Sequence, residues 1–323
     1  MFGSVLITGG SGSLGNALAR RLLAVEKPER IIVFSRGEHA QEAMARALKP
    51  IDPDGRMRFL LGDVRDVQRL ELAMRGVDTV IHAAALKSVP KCEVDPSEAI
   101  KTNVLGADNV VHAALRAEVE RVVGISSDKG CSPNTLYGST KLCAERLFTA
   151  AGVYAGAYGP KFAACRYGNV SGSQGSVIPL WRQMIAAGRP TVPITDPEAT
   201  RYWLLMAEAV DLVMWTLREM RGGEVVVPEM PAYRVGDLAD AVGARGYTVG
   251  LRPAEKLHEA IVNEHEARSF VKIGNYWVAN AQPEKPAPIL SGALTSDKAR
   301  RLSVEELKGL LATMDSAKER IAA

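Results

Sequence analysis

The sequence predicts an α/β fold: a doubly wound parallel sheet with a smaller, interleaved C-terminal region. Two observations carry that expectation. Short β-branched runs alternate with helix-length amphipathic segments from residue 5 to residue 167, a rhythm that builds parallel strands covered by helices on both faces. The rhythm then stops, and Gly168–Thr200 is rich in Gly, Ser, Pro and Thr, the composition of loops. A chain of 323 residues, 47% hydrophobic and 24% charged, has the length and apolar content for one large α/β unit with a smaller appended one.

The strands are expected at Val5–Thr8, Arg30–Ser35, Met57–Leu61, Thr79–Ala83, Arg121–Ser126 and Phe162–Tyr167. Between them the helical period places helices at Asn16–Ala24, Gln41–Leu48, Val67–Met74, Ala99–Leu115 and Leu136–Ala150. Beyond Tyr167 come a helical piece at Leu180–Ala187, a helix at Ala207–Arg218 and a strand at Glu224–Pro228, the last two returning to the main sheet. A hairpin at Phe270–Val278, a proline-rich link at Pro283–Pro288 and a short helix from Ser303 to Met314 complete the chain. Residues 1–167 are therefore read as the main domain. Residues 168–323 are read as a smaller region, with elements near 205–228 rejoining the sheet.

Composition narrows the partners. A net charge of +3 is too small for the basic footprint of a nucleic-acid binder and suits a diphosphate ligand. Cys92, Cys131, Cys143 and Cys165 form no CxxC pair, so reduced thiols are expected, with no metal site and no disulfide framework. The chain enters a strand almost at once, leaving no room for a signal peptide, and no apolar run is long enough to cross a bilayer. The expectation is a soluble, cytoplasmic protein with no membrane or nucleic-acid partner.

Thr8-Gly9-Gly10-Ser11-Gly12-Ser13-Leu14-Gly15 follows the first strand and opens the first helix. In that setting Gly9 permits a tight turn, Gly12 lets the backbone approach a pyrophosphate, and Gly15 lets helix and strand pack closely. The phosphates sit on the helix N-terminus, where unpaired N–H groups attract anions. This is a Rossmann-type dinucleotide loop. NAD binders carry an acidic residue about 20 positions on, for the ribose hydroxyls. Here the second strand ends Val33-Phe34-Ser35-Arg36, so Ser35 and Arg36 favour NADP over NAD. The plain alternative makes Arg36 a solvated loop residue. Asp63-Val64 fits an adenine contact, and Ala83-Ala84-Ala85 fits a wall of small residues beside the cofactor. His82, within the fourth strand, reads as a satisfied core residue.

The fifth strand ends Ser126-Ser127-Asp128-Lys129, and the next helix carries Tyr137-Gly138-Ser139-Thr140-Lys141. Tyr137 and Lys141, four apart, share a helix face. The Lys141 ammonium is expected to favour the Tyr137 phenolate, drawing its pKa down toward neutral pH, so that it takes a proton from an alcohol held by Ser127.

Together, the glycine loop, the strand-five Ser and the YxxxK pattern resemble the extended short-chain dehydrogenase/reductases that modify nucleotide sugars. The string Ser127-Asp128-Lys129 … Leu136-Tyr137-Gly138 is similar to the soluble, inverting UDP-N-acetylglucosamine 4,6-dehydratases of pseudaminic acid synthesis. Gly62-Asp63-Val64-Arg65-Asp66, His82-Ala83-Ala84-Ala85-Leu86-Lys87, Arg166-Tyr167-Gly168-Asn169-Val170, Pro193-Ile194-Thr195-Asp196 and Arg252-Pro253-Ala254-Glu255-Lys256-Leu257-His258-Glu259 extend the match over essentially the whole chain. Ser127 stands where the family usually has Thr, Ala254 where it usually has Gly, and Ser88 where His is frequent; Gly130-Cys131-Ser132 also departs from the common sequence.

The resemblance implies a reaction. Tyr137 is the base at the sugar C4 hydroxyl, Lys129 removes the C5 proton, and Asp128 is the acid at C6. The product is UDP-2-acetamido-2,6-dideoxy-β-L-arabino-hexos-4-ulose, and a tightly bound cofactor ends the cycle unchanged. This ordering requires a neutral Lys129 and a protonated Asp128, the forms a desolvated site favours. Asn169, Arg201 and Arg252 are expected to hold the nucleotide diphosphate, with Lys87 lining the site; for Arg201 an internal salt bridge is the competing reading. A UDP-sugar 4-epimerase shares the loop and YxxxK but has no need of Asp128-Lys129. A retaining 4,6-dehydratase and a non-catalytic dinucleotide sensor are the other rivals. By the same resemblance the helices Ala99–Leu115 and Leu136–Ala150 pair in a homo-oligomer, a dimer or higher.

Overall fold

The computed structural model describes residues 2–156, 158–173, 175–283 and 285–322, with side chains described as far as residue 314. In chain order the first strands are β1 (Ser4–Thr8), β2 (Arg30–Ser35), β3 (Met57–Leu61), β4 (Thr79–His82), β5 (Arg121–Ile125), β6 (Lys161–Cys165), β7 (Thr191–Ile194) and β8 (Thr200–Tyr202). There follow β9 (Val225–Pro228), β10 (Ala232–Arg234), β11 (Arg245–Thr248), β12 (Ala260–Val262), β13 (Phe270–Ile273), β14 (Tyr276–Ala279) and β15 (Leu294–Thr295).

Nine of these form one sheet in the order β13-β14-β9-β6-β5-β4-β1-β2-β3. From β3 across to β9 every pairing is parallel, and the β13–β14 hairpin closes that edge antiparallel to β9. All five residues of β1 are buried, as are Ile31 to Ser35 of β2. A strand covered on both faces must be apolar throughout, so these runs read as continuous aliphatic stretches. Successive side chains still serve opposite faces. Val5 and Ile7 pack with Leu18, Leu22, Leu212 and Val213, whereas Leu6 packs with Leu70, Val110, Ala144 and Phe148.

The expected helix Ala99–Leu115 is interrupted. Its path runs Pro96–Ile100, then a wide π turn at Lys101–Leu105, then Gly106–Arg116. The π turn holds Asn103 buried, where its amide donates to the Leu86 carbonyl (2.9 Å) and Thr140 Oγ1 (3.0 Å) and its oxygen accepts from the Leu86 N–H (2.7 Å). One side chain thus ties the segment after β4 to the helix Leu136–Ala150. At the chain's end the helix runs Val304–Ala322, longer than expected. The proline-rich link Pro283–Pro288 includes Glu284, which lies outside the described residues.

Three two-stranded ribbons, β7–β11, β8–β10 and β12–β15, lie beyond the main sheet. β7 and β10 contribute to a separate apolar cluster that includes Ile178, Trp181, Trp203, Tyr233 and Leu238, whereas Ile261 and Val262 of β12 join the main core. β9 lies beside β6, and Met206–Glu219 packs in the core that covers β1 and β2, so the C-terminal half is woven into the main sheet. The strand order reverses between β1 and β4, the point at which such sheets open a crevice at their carboxyl ends. Among the described residues no helix is long and apolar enough to cross a membrane, and no His/Cys/Asp/Glu cluster could hold a metal ion.

Candidate active site

A cleft of about 660 Å³ opens at that switch point. Its lining includes Gly9, Gly12, Ser13, Leu14, Gly15, Ser35, Arg36, Asp63, Val64 and Ala83 to Ala85. The glycines are there for space. Gly9 turns with φ +64° and lies so close to Ala84 that a Cβ would meet its Cα at 2.8 Å; at Gly15 a Cβ would sit 2.3 Å from the Gly10 carbonyl oxygen. The helix Ser13–Arg21 begins at Gly12 with no side-chain cap on its first N–H groups, which face the cleft and suit a pyrophosphate. Ser35 is fixed at the tip of β2 by Ser11 Oγ (2.9 Å) and Gln41 Nε2 (3.0 Å).

Two cofactor-site expectations change in detail. Thr8 is fully buried and does not line the cleft; its hydroxyl is 2.8 Å from His82 Nδ1 and receives the Ala84 N–H at 3.4 Å. That bond makes His82 the satisfied core histidine foreseen, with burial pushing its pKa down to about 3. Asp63 does reach the cleft, but as the partner of Arg65 (2.6 Å) and, at 3.7 Å, of Arg36. Partial burial opposes its charge, and the Arg65 bonds overcome this and hold its carboxyl below the ordinary range. Arg36 stands half exposed at the mouth.

The residues expected to be catalytic meet where the cleft passes β5. Pairing with β6 continues beyond the strand itself: the Ser126 N–H donates to the Cys165 carbonyl and the Asp128 N–H to the Tyr167 carbonyl. This seats the turn Asp128–Gly130 at the sheet's carboxyl edge. Helix Leu136–Ala150 presses onto the turn through Gly138, where a Cβ would lie 2.2 Å from the Lys129 carbonyl oxygen. Thr135 caps that helix by accepting from the Gly138 N–H. Asp128 is 1% exposed, and Ser127 donates to its Oδ1 at 2.9 Å. Lys129 Nζ donates to both Asp128 oxygens (3.0 and 3.1 Å) and to Asn169 Oδ1 (3.0 Å), and lies 3.4 Å from Glu259 Oε1.

The electrostatic surroundings differ from the expectation at Tyr137 and at Lys129. Burial pushes the Tyr137 phenol up to about 12, and the charge that favours its phenolate comes from Lys129, aided by a hydrogen bond with Ser127. Lys141 Nζ instead donates to the Ile125 carbonyl, and burial draws its own pKa down to about 8 against the pull of Glu145. At Lys129 the surroundings favour the ammonium. Desolvation works against its charge, but the Asp128 and Glu259 carboxylates outweigh it and hold the ammonium above its ordinary pKa.

A second cavity of about 430 Å³ adjoins the first, sharing Val170, and is lined by Lys129, Asn169, Arg201, Tyr233, Arg252, Glu255 and Glu259 among others. Of the four residues assigned to substrate, Asn169, Arg201 and Arg252 line this cavity, whereas Lys87 lies on the first cleft with Tyr137 and Lys141. Arg252 is exposed. Arg201 is 8% exposed and spends its guanidinium on the Thr200 and Leu257 carbonyls and on Glu255 Oε1 (2.8 Å), the internal salt bridge weighed above. The sequence reading quoted Glu255 and Glu259 within a motif but gave them no role. Arg166 likewise stands in a quoted motif without a role, and Asn103 carries no signal of its own in the sequence. Arg166, 1% exposed, clamps Glu145 of the catalytic helix at 2.6 and 2.9 Å and Glu266 at 2.6 and 3.2 Å.

Residues 5–281 match the family described as "Polysaccharide biosynthesis protein". The chain belongs to this polysaccharide biosynthesis family. Within the range of known members it is 41% identical to the UDP-N-acetylglucosamine 4,6-dehydratase (inverting) of Campylobacter jejuni subsp. jejuni serotype O:23/36, over 85% of this chain and 81% of that one. It is 36% identical to the UDP-glucose 4-epimerase of Rickettsia akari, over 98% of each chain. Among solved structures, Pen from Bacillus thuringiensis superposes with a TM-score of 0.90 at 33% identity, covering 97% of this chain and 98% of that one. The dTDP-glucose 4,6-dehydratase DesIV of Streptomyces venezuelae, solved with NAD bound, gives 0.70 at 28% identity, covering 79% and 86%. The Rossmann-type, mostly parallel sheet expected from the sequence is the fold of this family's dehydratase neighbours.

Proposed function

We propose that this family member is an NADP-dependent, inverting UDP-N-acetylglucosamine 4,6-dehydratase. The observation that carries the reading is the Asp128–Lys129 pair, held at 3.0 Å where the dinucleotide cleft meets the second cavity. The glycine cradle, the uncapped helix start and Arg36 at the cleft mouth fit a nicotinamide dinucleotide carrying a 2′-phosphate. When bound, that group supplies a place for the C4 hydride until it is needed at C6.

The chain's own residues do the proton work. Ser127 holds the C4 hydroxyl and Tyr137 takes its proton, the phenolate being favoured by the Lys129 charge. A C4 ketone then acidifies the C5–H. Lys129 already donates two hydrogen bonds to Asp128, so passing one proton across makes a neutral amine and a carboxylic acid in a single transfer. The amine removes the C5 proton, and the acid delivers its proton to the departing C6 hydroxyl, which leaves as water. Both groups return to their starting charges, and solvent supplies the new C5 proton on the opposite face. A 4-epimerase performs no elimination and has no use for an acid and a base at these positions. The setting proposed is cytoplasmic, in a homo-oligomer, with a product of the kind pseudaminic acid synthesis consumes.

Proton NMR of the purified protein with UDP-N-acetylglucosamine tests the reaction class. A C6 methyl signal and loss of the C4 proton are expected. Formation of the C4 epimer with an intact C6 hydroxymethyl would replace this reading with the epimerase.

A further inference from the structure

Lys129 has more negative charge around it than the reaction requires. Asp128 alone can receive its proton, yet Glu259 stands 3.4 Å away on the far side. Glu259 is 4% exposed, its Oε2 is buried without a hydrogen-bond partner among the described residues, and the Arg201 Nε lies farther off, at 3.9 Å from Oε1. Its backbone is pinned from both sides: the Glu259 N–H donates to Ser296 Oγ (2.8 Å), and the Ser296 N–H donates to the Glu259 carbonyl (2.8 Å). Ser296 Oγ is in turn 2.6 Å from Thr200 Oγ1. A carboxylate this buried, this firmly placed and not neutralised by the nearby guanidinium has Lys129 as its nearest counter-charge.

We propose that Glu259 is a positioning residue for the reaction: with Asp128 it holds Lys129 as an ammonium, so that its charge stands ready for Tyr137 while the sugar is oxidised. This rests on Lys129 being the C5 base. The two halves of the reaction need opposite forms of Lys129. The first uses its charge to favour the Tyr137 phenolate, and the second uses its lone pair. A second carboxylate beside Nζ keeps the ammonium in place while Tyr137 takes the C4 hydroxyl proton; the lone pair is needed only once the ketone has acidified the C5 proton. The groups facing Nζ are Asp128 on its own turn, Asn169 after β6, Arg201 on β8, Tyr233 on β10, Tyr137 on the catalytic helix and Glu259 ahead of β12. Of these, Asp128 and Glu259 favour the ammonium by their charge and Arg201 opposes it.

The test uses the holoenzyme and its Glu259→Gln variant, which keeps the shape and removes the charge. Lys129 labelling by a small acylating reagent is followed by peptide mass spectrometry across pH, because only the neutral amine reacts. Loss of an opposite charge at this distance should lower the labelling midpoint by about 1–3 pH units. The pH at which 6-deoxy product first forms should fall with it. Glu259→Asp, which withdraws the charge by one methylene, should shift both the same way by less, and it serves if the Gln variant does not fold. Midpoints unchanged in the folded variants overturn the proposal. A midpoint that moves while product formation keeps its wild-type pH dependence overturns Lys129 as the C5 base, and with it the role of Glu259 in that step, but leaves the charge pairing in place.

Discussion

Arg166→Met should be among the most destabilising single changes in the chain. Arg166 is 1% exposed and its guanidinium is divided between Glu145, itself 2% exposed, and Glu266. Methionine fills much of the same volume but leaves both carboxylates without a counter-charge. Breaking a buried pair from one side costs about 3–5 kcal/mol, whereas the intact pair is worth far less against an apolar replacement. Thermal unfolding should therefore fall by roughly 6–15 °C. The penalty should also depend on pH. Burial opposes the Glu266 charge, but Arg166 outweighs it and holds that carboxyl below its ordinary value. Its stabilising contribution is present above the unfolded pKa, near 4.5 for a glutamate, and is lost as pH falls through the folded one. The gap between wild type and Arg166→Met should be widest near neutrality and narrow below about pH 4.5. Adding Glu145→Gln to the variant should recover part of the loss. A difference under about 1 kcal/mol in urea unfolding at pH 7, or one independent of pH, would refute the reasoning.

Other outcomes follow from the same geometry. Arg36→Ala should weaken NADP far more than NAD in calorimetry, because only the 2′-phosphate loses a charge-assisted contact; equal losses would dismiss the NADP assignment. Tyr137→Phe should keep cofactor affinity and lower turnover by ~10²–10⁴-fold, and turnover near wild type would remove Tyr137 from the mechanism. Ala254 sits at φ +61°, a left-handed conformation that costs a non-glycine residue roughly 1–2 kcal/mol. Ala254→Gly should relieve that cost, less the roughly 0.4–1 kcal/mol of extra freedom gained by the unfolded chain, and raise the melting temperature by about 1–3 °C. A lowered melting temperature would contradict it.

The strands were legible because buried parallel strands leave a local mark. Arg30–Ser35 is found where the aliphatic run places it, and Leu136–Ala150 where its periodicity does. The glycine loop was legible for a similar reason: space beside Ala84 and Gly10 can be supplied by one residue type only. The helix over residues 99–115 was legible only in outline, because a π turn keeps the same apolar stripe while rotating Asn103 inward. Charge states were not legible at all. Glu259 joins Asp128 beside Lys129, and Glu255 occupies the Arg201 fork, through contacts made when β8 and the segment ahead of β12 fold onto the β5 edge. Sequence spacing places Tyr137 and Lys141 on one face, but it does not say that Lys141 points at a carbonyl of β5.

The claim at the centre is that Lys129 removes the C5 proton and solvent replaces it on the other face. The most direct measurement is the reaction with UDP-N-acetylglucosamine in D₂O, with the product examined by proton NMR. The account predicts deuterium at C5, the L-arabino configuration, and almost no 6-deoxy product from Lys129→Ala. That variant should show transient reduced-nicotinamide absorbance from reversible C4 oxidation, formed more slowly because Tyr137 has lost the Lys129 charge. A wild-type product that keeps the D configuration at C5, or a Lys129→Ala enzyme that dehydrates normally, would contradict it.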